Sequence, residues 1–176
     1  LTPVGEYANS CVGRERIFSY FAQRDAIRTA LIRLSYAIDL RYGVLVDIAQ
    51  KIYNEVPIDV TTGYLPYIWQ GDANDRIIRS LSLAQVPARP LNLTAPQPLR
   101  VRDVANQLGE LMGHDVTIIG QESDTAYLSD ATELRHTLGD TTVSLSTMIR
   151  WIAYWVANDQ TLWNKHTHFE IRDGSY

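Results

Sequence analysis

With Cys11 as its only cysteine, the 176-residue chain cannot form an intrachain disulfide, a composition that fits a reducing cytosol. No apolar run approaches the ~20 residues that span a bilayer. The opening residues Leu1-Thr2-Pro3-Val4-Gly5-Glu6 carry neither the basic nor the apolar region of a secretory signal. The expectation is therefore a cytoplasmic protein with no membrane partner, in which the glycosylation sequon Asn92-Leu93-Thr94 is coincidence. Glycines are missing where nucleotide chemistry needs them. No two are separated by a single residue, which excludes the G-x-G-x-x-G turn that lets a backbone approach a pyrophosphate. None precedes a lysine, which excludes a P-loop. Positive charge is not in excess either: the formal charge is −4 and the pI about 5.5, which argues against nucleic acid as a partner. Arg14, Arg16, Arg24 and Arg28 fall close together and leave only a local basic patch possible.

What is present describes an ordinary globular domain, with 45% apolar and 20% charged residues. The length suggests one domain, able to bury roughly two thirds of its unfolded surface. The chain opens almost at once on a helical pattern and has no starting methionine, so it reads as a piece of something longer. Residues 6–23 predict a helix with Tyr7, Cys11, Ile17, Phe18, Phe21 and Ala22 as its apolar positions. Residues 29–38 form a dense apolar run that predicts a strand buried on both faces. Leu45, Ile48, Ala49, Ile52, Tyr53 and Val56 mark a helix closed by Pro57.

Residues 64–69 predict a short edge strand, because Pro66 cannot sit in a central one. Asp72 or Asn74 is expected to cap a helix that buries Ile77, Ile78, Leu81 and Ala84. A strand over 91–94 follows, then a helix through Val101, Val104, Ala105, Leu108, Leu111 and Met112 that ends at Gly113. A strand over 116–119 comes next, then a brief helix opened by Asp130 with Glu133 and stopped at Gly139. Ser144 begins the last helix, whose buried face holds Leu145, Met148, Ile149, Ile152 and Val156. Short strands alternating with helices indicate a helix-rich α/β fold. The domain is expected over 1–163, with 164–176 as a polar, irregular tail.

Four constellations carry possible chemistry. Tyr7 and Cys11 stand four residues apart, on one helix face. A lysine at the second position would lower the phenol's pKa and make it usable as an acid or base near neutrality. A cysteine there reads instead as an aromatic ring packed beside a small thiol. His166, His168 and Glu170 would share a face if extended, with Asp173 near enough to add a fourth metal ligand, although a polar tail with ordinary hydrogen bonds is the stronger reading. Asp72, Asn74 and Asp75 resemble the start of a calcium loop, but Ile77 and Leu83 stand where it needs glycine and glutamate. Trp151, Tyr154, Trp155 and Trp163 could stack on a base or sugar, but read better as core or as a patch covering a neighbouring domain.

Taken in order, these segments resemble the C-terminal half of the extended short-chain dehydrogenase/reductases, the NAD-dependent epimerase/dehydratase family. The resemblance runs through Pro3-Val4-Gly5-Glu6-Tyr7, Ala30-Leu31-Ile32-Arg33-Leu34-Ser35-Tyr36, Tyr67-Ile68-Trp69-Gln70-Gly71-Asp72-Ala73, Pro90-Leu91-Asn92-Leu93-Thr94 and Leu138-Gly139. It implies a C-terminal part of a Rossmann-type fold whose Gly-rich NAD-binding half is absent. It also implies a small-molecule substrate, a sugar or nucleotide-sugar, with NAD or NADP bound by the full-length protein and none by this piece. Tyr7 would be the catalytic tyrosine, and Tyr7 and Cys11 would face the cofactor. The resemblance places Asp72 at a frequent substrate-domain aspartate; charge adds Arg33, Arg76 and Arg100 as candidate substrate ligands. Two positions depart from the pattern: Cys11 replaces the lysine, and Ser35 and Tyr36 replace an asparagine. The runner-up is a non-catalytic binding or assembly module that kept the fold. A strand at 29–38 without sheet neighbours would seek a partner, so a homo-oligomer is expected.

Overall fold

A computed structural model describes residues 3–172. The segment expected as one strand breaks at Ser35 into β1 (Ala30–Leu34) and β2 (Tyr36–Ile38). The reason is a change of partner. β1 runs parallel to β6 (Arg89–Leu93), from Ala30 opposite Arg89 to Leu34 opposite Leu93. The Ser35 amide donates to Leu93 O at 3.1 Å, and β2 then pairs in parallel with β5 (Tyr67–Trp69). β1 is only partly buried, and Leu34 is exposed, so the expectation of burial on both faces fails. Residues 64–69 break likewise at Pro66: β4 (Tyr64–Leu65) lies antiparallel to β7 (Leu99–Arg100), while Tyr67 onward joins β2. A proline cannot donate to a ladder, so it falls where one pairing ends and the next begins. Of the strand expected over 116–119 only β8 (Ile118–Ile119) forms, parallel to β3 (Ile58–Asp59).

The main core lies among three helices. α2 (Val44–Tyr53), α4 (Val101–Met112) and α6 (Leu145–Ala157) meet through Leu45, Ile48, Ile52, Val104, Leu108, Met148, Ile149 and Ile152. The periodic spacing of those residues is what the sequence predicts, and each is essentially inaccessible to solvent. Gly43 leads into α2 with φ 125°, a conformation open to glycine and costly for other residues. Gly113 closes α4 in the left-handed region, and the Ser144 hydroxyl accepts the Thr147 amide at the start of α6. A smaller core joins Ile68, Ala73, Leu91 and Leu93 to Leu134 and Leu138 of α5 (Thr132–Leu138). Ala131, not Asp130, is the N-cap of α5; Asp130 accepts the Thr132 amide from one residue further back, and Glu133 turns away to Arg89, so the expected capping box does not form. Among the described residues no helix is long and apolar enough to cross a membrane.

Helix α1 (Gly5–Arg24) stands apart from both cores, and of its residues only Ala22 is buried. Of the apolar positions read from the sequence, Tyr7, Ile17, Phe18 and Phe21 are 41–65% exposed, whereas Ala22 is buried as expected.

Helix α3 (Gln70–Arg79) reverses expectation. It buries Asp72, Ala73 and Arg76, whereas Ile78 and Leu81, beyond it, are 68% and 73% exposed. Trp69 is its N-cap, and neither Asp72 nor Asn74 caps it. Asp72 instead accepts the Thr142 hydroxyl at 2.6 Å and the Thr142 and Val143 amides at 3.0–3.1 Å. Arg76 donates to the carbonyls of Gly139 and Asp140 and lies 3.7 Å from Asp72. The turn between α5 and α6 has backbone groups to satisfy, and an apolar face could not satisfy them. Burial opposes ionisation of Asp72, but the Thr142 hydroxyl, the two amides and Arg76 outweigh it and hold the carboxyl below its ordinary value of 3.8. Its contribution to stability is therefore present above 3.8 and is lost as pH falls through the lower folded-state value. Asp72→Ala should cost about 3–5 kcal/mol, because it strands a buried guanidinium. Urea unfolding at pH 7 checks the loss. The same titration at acid pH should show the gap between variant and parent closing.

Candidate functional site

Tyr7 sits one turn into α1, 65% exposed, where two cavities meet. One is a groove of about 730 Å³ between α1 and β1, lined by Tyr7, Cys11, Arg14, Glu15, Phe18 and residues 29–35. The stripe Tyr7, Cys11, Arg14 and Phe18 faces it because steps of three and four return to one side of a helix. The second cavity is a cleft of about 690 Å³. Its walls are Tyr7, Arg33 to Tyr36, Tyr42, Pro66, residues 127–129 and residues 165–168. A pocket of about 260 Å³ adjoins it and shares Tyr36 and Tyr127. Tyr7 and residues 33–35 are common to groove and cleft.

The cation expected four residues after Tyr7 is absent, but one lies nearby. Arg14 donates from Nη2 to the Cys11 sulfur at 3.5 Å, so a guanidinium leans over the cysteine that stands at the lysine's position. Arg33 borders both cavities, yet its guanidinium is held by both oxygens of Glu15 at 2.5–2.8 Å. That hydrogen-bonded pairing pushes Glu15 down and Arg33 up from their ordinary values, although partial burial opposes both shifts. Arg33 thus meets a ligand as half of an ion pair.

The other candidates from charge and resemblance lie outside both cavities. Asp72 and Arg76 are the buried pair that ties α3 to the α5–α6 turn. Arg100 is engaged by Glu122 at 3.1 Å and Asp103 at 3.4 Å, on the side of β7. Bidentate and networked pairs of this kind serve first to hold chain segments together.

The tail is irregular, as expected, but it is tied down. The Thr167 amide and hydroxyl donate to the buried Asp47 of α2 at 2.7 and 2.5 Å. Glu170 pairs with Lys51, Phe169 is buried in the main core, and Arg172 donates to the Thr61 and Thr125 carbonyls. These anchors draw residues 165–168 across the cleft mouth as a strap. Asn164 and His168 both have φ near 50°, an uncommon conformation for side-chain-bearing residues, and they bracket Lys165, His166 and Thr167. Because Glu170 points to Lys51, it does not share a face with the two histidines, whose rings lie 6.4 Å apart. Among the described residues no cluster could hold a metal ion, and Asp173 lies outside them. The tryptophans disperse: Trp151 packs on Trp69, Trp155 donates to Thr161 O, and Trp163 stacks on Tyr42.

Sequence reasoning missed Tyr36 as a site residue, and with it Tyr42, Tyr127 and Lys165. The only available signal was composition, 10 tyrosines against 3 phenylalanines. A tyrosine keeps a hydroxyl for water or ligand where phenylalanine offers none.

No protein-family profile matches the chain, and no curated protein does either. Among solved structures it is similar to a UDP-galactose 4-epimerase at TM-score 0.71 and 20% identity, over 90% of this chain and 55% of that one. It is similar to a dTDP-glucose 4,6-dehydratase from Bacillus anthracis, in complex with NAD, at TM-score 0.75 and 14% identity, over 90% and 54%. A UDP-glucuronic acid 4-epimerase from Bacillus cereus, in complex with UDP-glucuronic acid and NAD, gives TM-score 0.75 and 13% identity, over 89% and 54%. The chain thus has the fold of one half of such proteins and spans about 55% of their length.

The strap's dependence on its apolar anchor is testable. Phe169→Ala should cost roughly 3–5 kcal/mol in unfolding free energy. Amide exchange should accelerate at residues 165–170 before it does so in α2, α4 or α6.

Proposed function

We propose that this chain is the substrate-binding portion of a nicotinamide-dependent nucleotide-sugar epimerase or dehydratase, with Tyr7 at its reacting centre. The observation that carries this reading is the position of Tyr7 on the shared wall of two cavities. In such an enzyme the groove between α1 and β1 would lie on the cofactor side and the tyrosine-lined cleft would hold the sugar. A bound nicotinamide dinucleotide supplies the hydride acceptor. The phenol of Tyr7 would take the proton of the sugar hydroxyl being oxidised and return one when the carbonyl is reduced.

Residues of the groove fit only the reactive end of a dinucleotide. Cys11, Phe18 and Ala30 to Ile32 offer apolar wall, and no glycine-rich turn is there to cradle a pyrophosphate. The remainder would come from a preceding half, whose strand would continue the parallel ladder beyond β1 and cover the apolar side of α1. The similar structures, of whose length this chain spans about 55%, support that arrangement. The full protein would then be a cytoplasmic oxidoreductase.

One observation favours a second reading, a binding or assembly module without redox chemistry: Cys11 stands where a lysine is expected. The two readings separate on dinucleotide binding. Titration calorimetry with NAD and NADP should give binding by the full-length gene product and none by the 176-residue chain. If neither binds, the module is the better account. The cation effect is separately testable. Cys11→Lys should lower the Tyr7 phenol pKa, followed by the ring carbon signal in NMR, by about one unit or more if the ammonium meets the phenol as an opposite charge.

A further inference from the structure

The cleft beside Tyr7 has an unbalanced charge. Among the described residues its lining contains Arg33, Lys165, His166 and His168 and no aspartate or glutamate. Arg33 is neutralised by Glu15, and the one carboxylate behind the strap, Asp47, is buried and taken up by Thr167. His166 lies 3.8 Å from Asp47 through Nδ1, and its side chain is 74% exposed. Lys165 is different. The chain has only two lysines, against 14 arginines. Lys51 is spent on Glu170, whereas Lys165 makes no ion pair among the described residues. It lies over the face of Tyr42, 5.7 Å from the ring centroid. Tyr42 in turn stacks on Trp163, which Arg41 covers at 4.7 Å. The ammonium is thus positioned by an aromatic ladder and has no anionic partner among the described residues, on a protein whose net charge is −4.

The strap holds these groups in place at some cost. Asn164 and His168 keep an uncommon backbone conformation, and Asp47, Lys51 and the core around Phe169 keep the segment between and beyond them seated. Conformations of that kind persist only where the surroundings over-determine them, and they cluster at ligand sites. Opposite the strap, Tyr7, Ser35, Tyr36, Tyr127 and Ser129 line the remaining wall, rich in hydroxyl groups. The volume, about 690 Å³, is in the range of small-molecule sites.

We propose that this cleft takes an acidic sugar, one that carries a carboxylate or phosphoryl group on the ring itself. That anion would lie against Lys165 and the imidazoles of His166 and His168, while its ring hydroxyls face the tyrosines. The inference rests on reading the Tyr7 cleft as a sugar site and names the class of sugar. A neutral sugar would leave the Lys165 ammonium without an anionic partner, whereas an acidic one supplies a charge-assisted contact.

The test is titration of the 176-residue chain with glucuronate, glucose 1-phosphate, glucose and UDP, followed by NMR chemical shifts. Lys165→Gln is the variant, since an exposed side chain with no ion pair can be replaced without threatening the fold. Glucuronate or glucose 1-phosphate should bind at least ten-fold more tightly than glucose and shift signals of the strap. Lys165→Gln should remove that preference and leave glucose unchanged. Whichever acidic sugar wins identifies the anion as carboxylate or phosphoryl. Equal binding of acidic and neutral sugars, or a preference that survives Lys165→Gln, overturns the inference and leaves the sugar site standing. So does equal weakening of UDP in the variant, which would assign the cations to a diphosphate. Binding of none of these ligands overturns the sugar site together with the inference.

Discussion

Parallel strands cannot be joined by a tight turn, so every parallel pair forces a crossover through other structure. In this chain the ladder along residues 30–38 imposes that constraint twice. Its first half pairs with residues 89–93 and its second with 67–69, and the change of partner falls at Ser35. Between those strands the chain must leave, build a helix and return: α2 lies in the first excursion and α3 in the second, while α4 and α6 follow β6 and pack on α2 to complete the main core. The same ladder sets Tyr7. Helix α1 leads into it, and the residues just before and after its break, Arg33 to Tyr36, make the wall that the tyrosine faces.

The two ends of that ladder are finished differently. On the side of β2 the chain is closed over by α2 and by a strap whose anchors are polar and apolar in turn: Asp47 to Thr167, Phe169 in the core, Lys51 to Glu170. On the side of β1, α1 lies across the strand over a partly open groove and carries a row of exposed aromatic and aliphatic side chains. Large apolar surface of this kind is usually covered by something else. In the similar structures a unit of this fold makes up about 55% of the chain.

Buried and half-buried polar groups do the joining. Asp72 and Arg76 turn α3 over, so that the helix presents its charges to the α5–α6 turn and its isoleucines to solvent. Glu15 and Arg33 link α1 to β1 across the groove beside Tyr7. In each case a carboxylate or guanidinium satisfies several donors or acceptors at once, which an apolar side chain of the same size cannot do. The positions that look most like ligand-binding arginines from charge alone are, for this reason, largely committed to holding the fold.

Helices α2, α4 and α6 were legible in the sequence because their apolar residues recur every three or four positions, and burial of that stripe is a local property. Caps at Gly113 and Ser144 were legible for the same reason, since each acts within one turn. The α/β class also came from residues in order along the chain. Other features were not local. Which face of α3 is buried depends on carbonyls and amides 63 to 71 residues away. The cleft joins Tyr7, Tyr36, Tyr42, Tyr127 and Lys165 from segments that share no motif. The sequence alone determined where the amphipathic helices form; only the tertiary structure decided where strands break and which polar groups remain free to meet a ligand, because both depend on partners brought together from distant parts of the chain.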